Sequence, residues 1–139
     1  GGVQTMITLE KAVEALKASE AKAKELGVVV STAIVDDYGI LIAFSKMDGA
    51  LHVSPHFSQA KAYTSASLGM PSGDVAAFAK EGKPYFSLNT SFGGEFMVIA
   101  GGVPVTKSGK VVGAVGVGGS IDVTQDEACA KAAAAVLEQ

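Results

Sequence analysis

The chain has 139 residues, of which 48% are hydrophobic and 18% charged, and its formal net charge is −3 at pH 7. This size and apolar content suffice for one hydrophobic core, so residues 1–139 are expected to form a single domain. The 11 basic residues are scattered along the chain, which argues against a nucleic-acid partner. No apolar stretch is long enough to cross a bilayer, so no membrane partner is expected.

The chain begins Gly1-Gly2, so residues 1–4 are expected to be a disordered end or a remnant of cloning or processing. A cytoplasmic location is expected, or a secreted or periplasmic one if a leader was removed. The single cysteine, Cys129, cannot form an internal disulfide. It lies in an alanine-rich helical run, which favours a place in the core.

Helical spacing, β-branched runs and turn residues together predict four helices and five strands. In chain order these are a helix from Thr8 to the stop at Gly27, strands Val28–Asp36 and Ile40–Lys46, helix His56–Leu68, a helix from Ser72 or Asp74 to Ala79, strands Phe96–Ala100, Pro104–Lys107 and Val111–Val117, and a terminal helix opened by a capping box at Thr124.

Short turns join neighbouring strands of this order, so those strands must be antiparallel. The helical pair between the two strand groups carries the chain across one face of the sheet. The predicted fold is therefore α+β, a five-stranded antiparallel sheet with flanking helices. By analogy, this order of elements is that of profilin-like and PAS-like domains.

Glycines interrupt two β-branched stretches near the C-terminus, Gly101–Val105 and Val111–Gly119. Glycines in a strand mark places where a helix, a ligand or a partner subunit comes close to the backbone. A dinucleotide site is rejected, because no strand follows to carry the acidic ribose partner. The backbone at Gly119-Ser120 could still offer N–H groups to a carboxylate.

The two histidines, His52 and His56, lie four residues apart. The Ser54-Pro55 step places His52 in a loop and His56 in the first turn of a helix, so a rigid two-histidine clamp is disfavoured. Either histidine could be an axial ligand to haem iron, with His56 the first candidate, or both could be ordinary surface residues. A zinc site lacks enough neighbouring ligands.

Other side chains could contact a bound molecule. Met47, Tyr63 and Tyr85 could ligate iron or line its site, although each alone is more typical of packing. Lys61 could pair with an acidic ligand group, or lie solvated on its helix. Glu95, at a predicted strand entrance, could cap, pair or bind iron.

Several blocks of this sequence together resemble a known family. They are, in order, Met47-Asp-Gly-Ala50, Ser54, Ala60-Lys-Ala-Tyr-Thr64, Gly101-Gly-Val-Pro104, Gly113-Ala-Val-Gly-Val-Gly-Gly119 and Gln125-Asp-Glu-Ala-Cys-Ala130. Their order and spacing resemble the GlcG/HbpS-type haem-binding, haem-degrading-like family from Ile7 onward. The resemblance implies a profilin-like fold, assembly into homo-oligomers, and haem held at a groove or subunit boundary in the members that bind it.

The resulting leading hypothesis is an oligomeric haem-binding or haem-sensing accessory protein. Its cofactor would be haem, held by residues drawn from Met47, His52, His56, Lys61 and Tyr85. A second hypothesis is a binding protein or enzyme for a small organic acid or other catabolic metabolite, contacted by Lys61, Tyr85 or Glu95. A third is a structural partner of a catabolic enzyme. The sequence does not decide whether any catalysis occurs.

Overall fold

A computed structural model describes residues 6–139, so the expectation for residues 1–4 lies outside the described part of the chain. The regular elements are α1 (Leu9–Leu26), β1 (Ser31–Asp36), β2 (Leu41–Lys46), α2 (Ser54–Leu68), α3 (Ser72–Ala79), β3 (Gly102–Lys107), β4 (Lys110–Gly118) and α4 (Val123–Leu137). An irregular 3-10 segment, Leu88–Gly94, follows α3. None of the described helices is both long and apolar enough to cross a membrane.

The described strands form one antiparallel sheet in the order β2-β1-β4-β3. Helices α1 and α4 pack on each other and on one face of the sheet, while α2 packs on the opposite face against β1, β3 and β4. The fold is therefore α+β, as predicted. It has three layers, with the sheet in the middle.

Alternation along β1 divides its side chains between the two faces. Ile34 packs in the larger core with α1 and α4, and buried Cys129 belongs to this core, as the sequence predicted. Ala33 and Val35 face α2, where they meet Ala62. The buried side chains on the α2 side are mostly alanine, so this helix lies close to the sheet.

The predicted fifth strand, Phe96–Ala100, is wrong: the segment is not a strand, and the sheet in residues 6–139 has four. Its backbone groups bond to helix hydroxyls instead of to a neighbouring strand. Met97 N donates to Thr64 Oγ1 at 2.8 Å, and Ser72 Oγ donates to the Ile99 carbonyl at 2.6 Å. These bonds satisfy polar groups that a ladder would otherwise satisfy, and they fix the segment beside α2 and α3.

Two predicted helix starts are displaced by a few residues. Helix α2 begins at Ser54 rather than His56, since the Ser54 hydroxyl donates back to the Leu51 carbonyl and does not cap the helix. Helix α4 is capped by Asp122, whose side chain accepts from the Thr124 N–H, so Thr124 is not the cap. The predicted helix α1 is confirmed, with Thr8 as its cap and Gly27 as its left-handed end.

Glycines of β3 and β4 allow the backbone of α2 to lie directly on the sheet. A Cβ added at Gly116 would overlap the Ser58 carbonyl, and one at Gly102 would overlap the Lys61 carbonyl. A Cβ at Gly118 would lie 2.9 Å from the Phe57 Cβ. The close approach predicted from the glycines is thus made by a helix of the same chain.

We expect Gly116→Ala to lower the free energy of unfolding by about 1–3 kcal/mol, because α2 must move away from β4 to admit the methyl group. Urea denaturation followed by circular dichroism measures this change. Thr106→Val, which also adds an apolar group to a strand but at an exposed position, is the control. Equal stability of both variants and the parent chain would contradict the close packing of α2.

Candidate functional site

The side chains singled out in the sequence do not converge on one place. His56 and Glu95 lie in one groove, whereas Lys61 lines a separate cavity. Tyr85 borders an apolar hollow next to α3, and Met47 lies beside the C-terminal end of α1. The described structure therefore offers two polar sites on α2 rather than one combined site.

The first site, which we call the His56 groove, lies between α2 and the C-terminal end of the 3-10 segment. It has a volume of about 330 Å³ and is lined by Gly39, His56, Gln59, Ala60, Tyr63, Gly93, Gly94 and Glu95. The His56 side chain is exposed there, as is that of Glu95. Gly39 makes room for the Tyr63 ring, because a Cβ at Gly39 would lie 2.6 Å from Tyr63 Cδ1.

Aromatic rings continue from the His56 groove along the adjacent surface. The rings of Tyr63 and Phe96 have centroids 5.5 Å apart, and those of Phe96 and Phe92 are 5.8 Å apart. Phe96 is buried, whereas Phe92 is 74% exposed. An exposed imidazole can donate a nitrogen lone pair to a metal, and the aromatic rings beside it can offer their faces to a flat apolar ligand.

Two other candidates lie away from both sites. His52 is exposed in the turn before α2, as the sequence predicted. The Met47 sulfur accepts a hydrogen bond from the Val30 N–H at 3.4 Å, and the side chain packs against the larger core. Met47 thus packs in the core, which was the alternative to iron ligation for this residue.

The second site, the Lys61 cavity, lies on the other side of α2 and has a volume of about 260 Å³. At its floor, Lys61 Nζ donates to the Val117 carbonyl at 2.9 Å and to Asp126 Oδ2 at 3.2 Å. Both side chains of this ion pair are almost fully buried, Lys61 at 1% and Asp126 at 2% exposure. Lys61 is therefore not a solvated helix lysine.

Burial shifts the titration of both partners. It lowers the pKa of the Lys61 ammonium below its ordinary value, and the neighbouring Asp126 carboxylate offsets part of that shift. Burial also raises the pKa of Asp126, against the opposing effects of the Ser120 N–H bond and the Lys61 charge. Each shift favours the neutral form of its group.

The glycines near β3 and β4 accommodate this pair as well. A Cβ at Gly101 would lie 2.8 Å from Lys61 Nζ, so only glycine leaves space for the ammonium. The Ser120 N–H, which the sequence suggested for a carboxylate ligand, donates to Asp126 Oδ1 at 3.0 Å. The carboxylate bound at the start of α4 is thus supplied by the chain itself.

Sequence reasoning missed Asp126 as a site residue and assigned its segment to a capping box. The two members of the pair are 65 residues apart in the chain, so only the packing of α2 beside the start of α4 reveals their contact. A signal was present, because Asp126 lies at helical spacing from Cys129, Ala130 and Ala133, on the buried face of α4. Within residues 6–139, no three His, Cys, Asp or Glu side chains are grouped to hold a metal ion.

A family model described as "Haem degrading protein HbpS-like" matches residues 7–135. The chain belongs to the HbpS-like family. An uncharacterised 15.0 kDa protein from the dhaT-dhaS intergenic region of Citrobacter freundii is 35% identical over 127 residues, 91% of this chain and 89% of that protein. Protein GlcG of Escherichia coli K12 is 34% identical over 117 residues, 82% of each.

Solved structures share the architecture of this HbpS-like chain. Klebsiella pneumoniae protein ORFY has a TM-score of 0.90 at 31% identity, over 94% of this chain and 90% of that one. A double mutant of Streptomyces reticuli HbpS has a TM-score of 0.88 at 33% identity, over 96% and 88%. The PduOC:haem complex has a TM-score of 0.89 over 96% and 99%, and at 24% identity it shows the fold alone.

We expect Asp126→Leu to lower the free energy of unfolding by about 3–5 kcal/mol, because the buried Lys61 loses its counter-charge. Adding Lys61→Met should recover most of this loss, since the remaining cavity floor is then uncharged. Urea denaturation of the two variants measures both changes.

Lys131→Met, which breaks an exposed ion pair with Glu127 on the same helix, is the control and should cost less than about 1 kcal/mol. If Asp126→Leu were as mild as this control, the buried Lys61–Asp126 contact would not contribute to stability as its burial implies.

Proposed function

We propose that the protein binds haem in the His56 groove, with His56 as the iron ligand. The observation that carries the proposal is an exposed imidazole beside an aromatic row in a chain of the HbpS-like family. Further support comes from relatives, because HbpS belongs to a family described by haem degradation and PduOC was solved with haem.

The residues present fit such a ligand. Histidine is a common axial ligand of haem iron, and the macrocycle needs an apolar or aromatic surface on at least one face. The His56 groove supplies the imidazole, while Tyr63, Phe96 and Phe92 supply ring surface next to it. The groove is open to water, so the haem carboxylates can stay hydrated.

Each side chain has a distinct task in this proposal. His56 would hold the iron from the first turn of α2. Tyr63, two turns further along the same helix, contacts the macrocycle, and Gln59 lies between them. Bound haem supplies a redox-active iron. Lys61 has no part in this site, because its ammonium is turned to Asp126.

Titration of the protein with hemin should give a saturable shift of the Soret band. We expect His56→Ala to weaken binding by about tenfold or more, equivalent to about 1.4 kcal/mol, because the iron loses its protein ligand. His52→Ala is the matched control, since this exposed histidine lies outside α2, and it should leave the titration unchanged.

A titration without saturation would refute haem binding by the chain. Loss of the Soret shift in His52→Ala with retention in His56→Ala would move the iron to the other histidine and refute this assignment of the groove.

We propose in addition that the protein acts as a homo-oligomeric accessory protein. The support is a group of large apolar side chains exposed to solvent in α3 and in the segment that follows it: Phe78 48%, Tyr85 60%, Phe86 59% and Phe92 74%. Exposed aromatic side chains in such number are typical of a protein interface. A second copy of the chain that covers this surface would also enclose Phe92, the exposed end of the aromatic row that starts at the His56 groove.

We expect size-exclusion chromatography with light scattering to give a mass that is a multiple of the 14.0 kDa chain. Phe86→Glu should shift this mass to that of the monomer, because it places a charge in the covered surface. Leu9→Glu changes an exposed apolar residue of α1 and should leave the mass unchanged. A monomeric parent protein would contradict the oligomer.

A further inference from the structure

The Lys61 cavity is separate from the His56 groove, and the two share no lining residue. Both are built on α2, where Phe57 and Lys61 point to one side, while His56, Ala60 and Tyr63 point to the other. Haem binding in the groove therefore leaves the cavity unexplained. Any ligand of the Lys61 cavity is independent of the proposed haem site.

The cavity combines apolar walls with one charged floor. The walls are formed by Leu51, Val53, Phe57, Ile99, Ile121 and Val123. Lys61 is the largest fully buried side chain of the described residues, yet it lines this cavity. An apolar pocket with a few convergent polar groups is the usual form of a small-molecule site.

The floor retains hydrogen-bonding capacity for a ligand. Among residues 6–139, Lys61 Nζ has two hydrogen-bond partners, Val117 and Asp126, and an ammonium group has three N–H donors. The Phe57 ring lies 5.9 Å from Nζ and closes one side. A ligand atom that reaches this floor meets the nitrogen, with Asp126 Oδ2 3.2 Å away from that nitrogen.

The charges of Lys61 and Asp126 indicate which class of ligand the cavity can bind. One cation and one anion already neutralise each other at the floor, so an added carboxylate would meet Asp126 at close range without a free counter-ion. A neutral carbonyl oxygen carries no such cost, and a short apolar chain suits the walls. The chemistry therefore fits a small aldehyde or ketone better than an organic acid.

We propose that Lys61 forms a reversible Schiff base with a small aldehyde or ketone bound in the Lys61 cavity. A lysine desolvated in an apolar pocket is the form of this residue that acts as a nucleophile toward carbonyls. The lowered pKa of Lys61 and the raised pKa of Asp126 support the proposal, because each shift favours the neutral form of its group and only the neutral amine is nucleophilic.

The step balances with the groups present. The Nζ lone pair attacks the carbonyl carbon, an N–C bond forms, and the oxygen takes the proton held by Asp126. The nitrogen returns one proton to Asp126, which then protonates the hydroxyl so that it leaves as water. A protonated imine remains beside the Asp126 carboxylate, an ion pair of the same charge as the original one.

Reductive trapping of the folded 139-residue chain tests the proposal. Limiting butanal and sodium cyanoborohydride are added at neutral pH, and peptide mass spectrometry follows butylation at each of the 11 lysines. Lys61 should be labelled faster than exposed Lys83 and Lys131, since a lowered pKa raises the unprotonated fraction of its amine. If the pair only supports the fold, Lys61 is labelled last, and the proposal is overturned.

Two variants separate the chemistry from the fold. Asp126→Asn keeps the side-chain shape and lowers the pKa of Lys61 further, but it removes the group that passes the proton to the leaving hydroxyl, so imine formation at Lys61 should slow relative to that at Lys83. Val123→Phe fills the cavity from its wall and leaves both members of the pair in the chain, and it should also suppress labelling of Lys61 while Lys83 is unchanged. Rapid labelling of Lys61 in folded Val123→Phe would show that the cavity is not the carbonyl site.

Discussion

The contact between the backbone of α2 and the glycines of β3 and β4 determines the arrangement of the other layers. Helices usually rest on a sheet through their side chains, with the axis held away by the intervening atoms. Here Gly102, Gly116 and Gly118 have no side chain, and they meet mainly the backbone of α2 together with its small residues Ser58 and Ala62. The helix therefore comes close enough for its own carbonyl groups to touch the strands.

The buried ion pair is a consequence of that contact. Because α2 lies so close to the sheet, the side chain of Lys61 runs alongside Gly101 and reaches the end of β4 and the first turn of α4. A buried pair of this kind costs desolvation energy that apolar residues would not. Its bonds link the helix on one face of the sheet to a helix packed on the other face.

Much of the fold could be predicted from the sequence, because local signals control it. The β1–β2 turn follows from Asp36, whose carboxylate accepts from two backbone N–H groups, and the end of α1 follows from Gly27. The segment Phe96–Ala100 has the composition of a strand, but it pairs with none of the strands in the described sheet. Hydroxyl groups of Thr64 and Ser72, distant in sequence, bind its backbone first.

The candidate sites were less predictable for a related reason. His56 could be placed at the start of a helix from the neighbouring proline alone, and it lies there. The burial of Lys61 depends on Gly101 and Asp126, which are 40 and 65 residues further along the chain. No local pattern distinguishes such a lysine from a solvated one, so its position becomes visible only when the layers are assembled.

The direct contact between the backbone of α2 and the sheet also separates two kinds of evolutionary constraint. Positions 58 and 62 of the helix meet strand glycines, and there a larger residue on either side would lift the helix. Positions 56, 59 and 63 face outward and contribute nothing to the contact between α2 and the sheet. A lineage can therefore exchange the residues of the groove while the helix stays in place, which makes this sheet and helix a scaffold able to acquire different ligands without a change of fold.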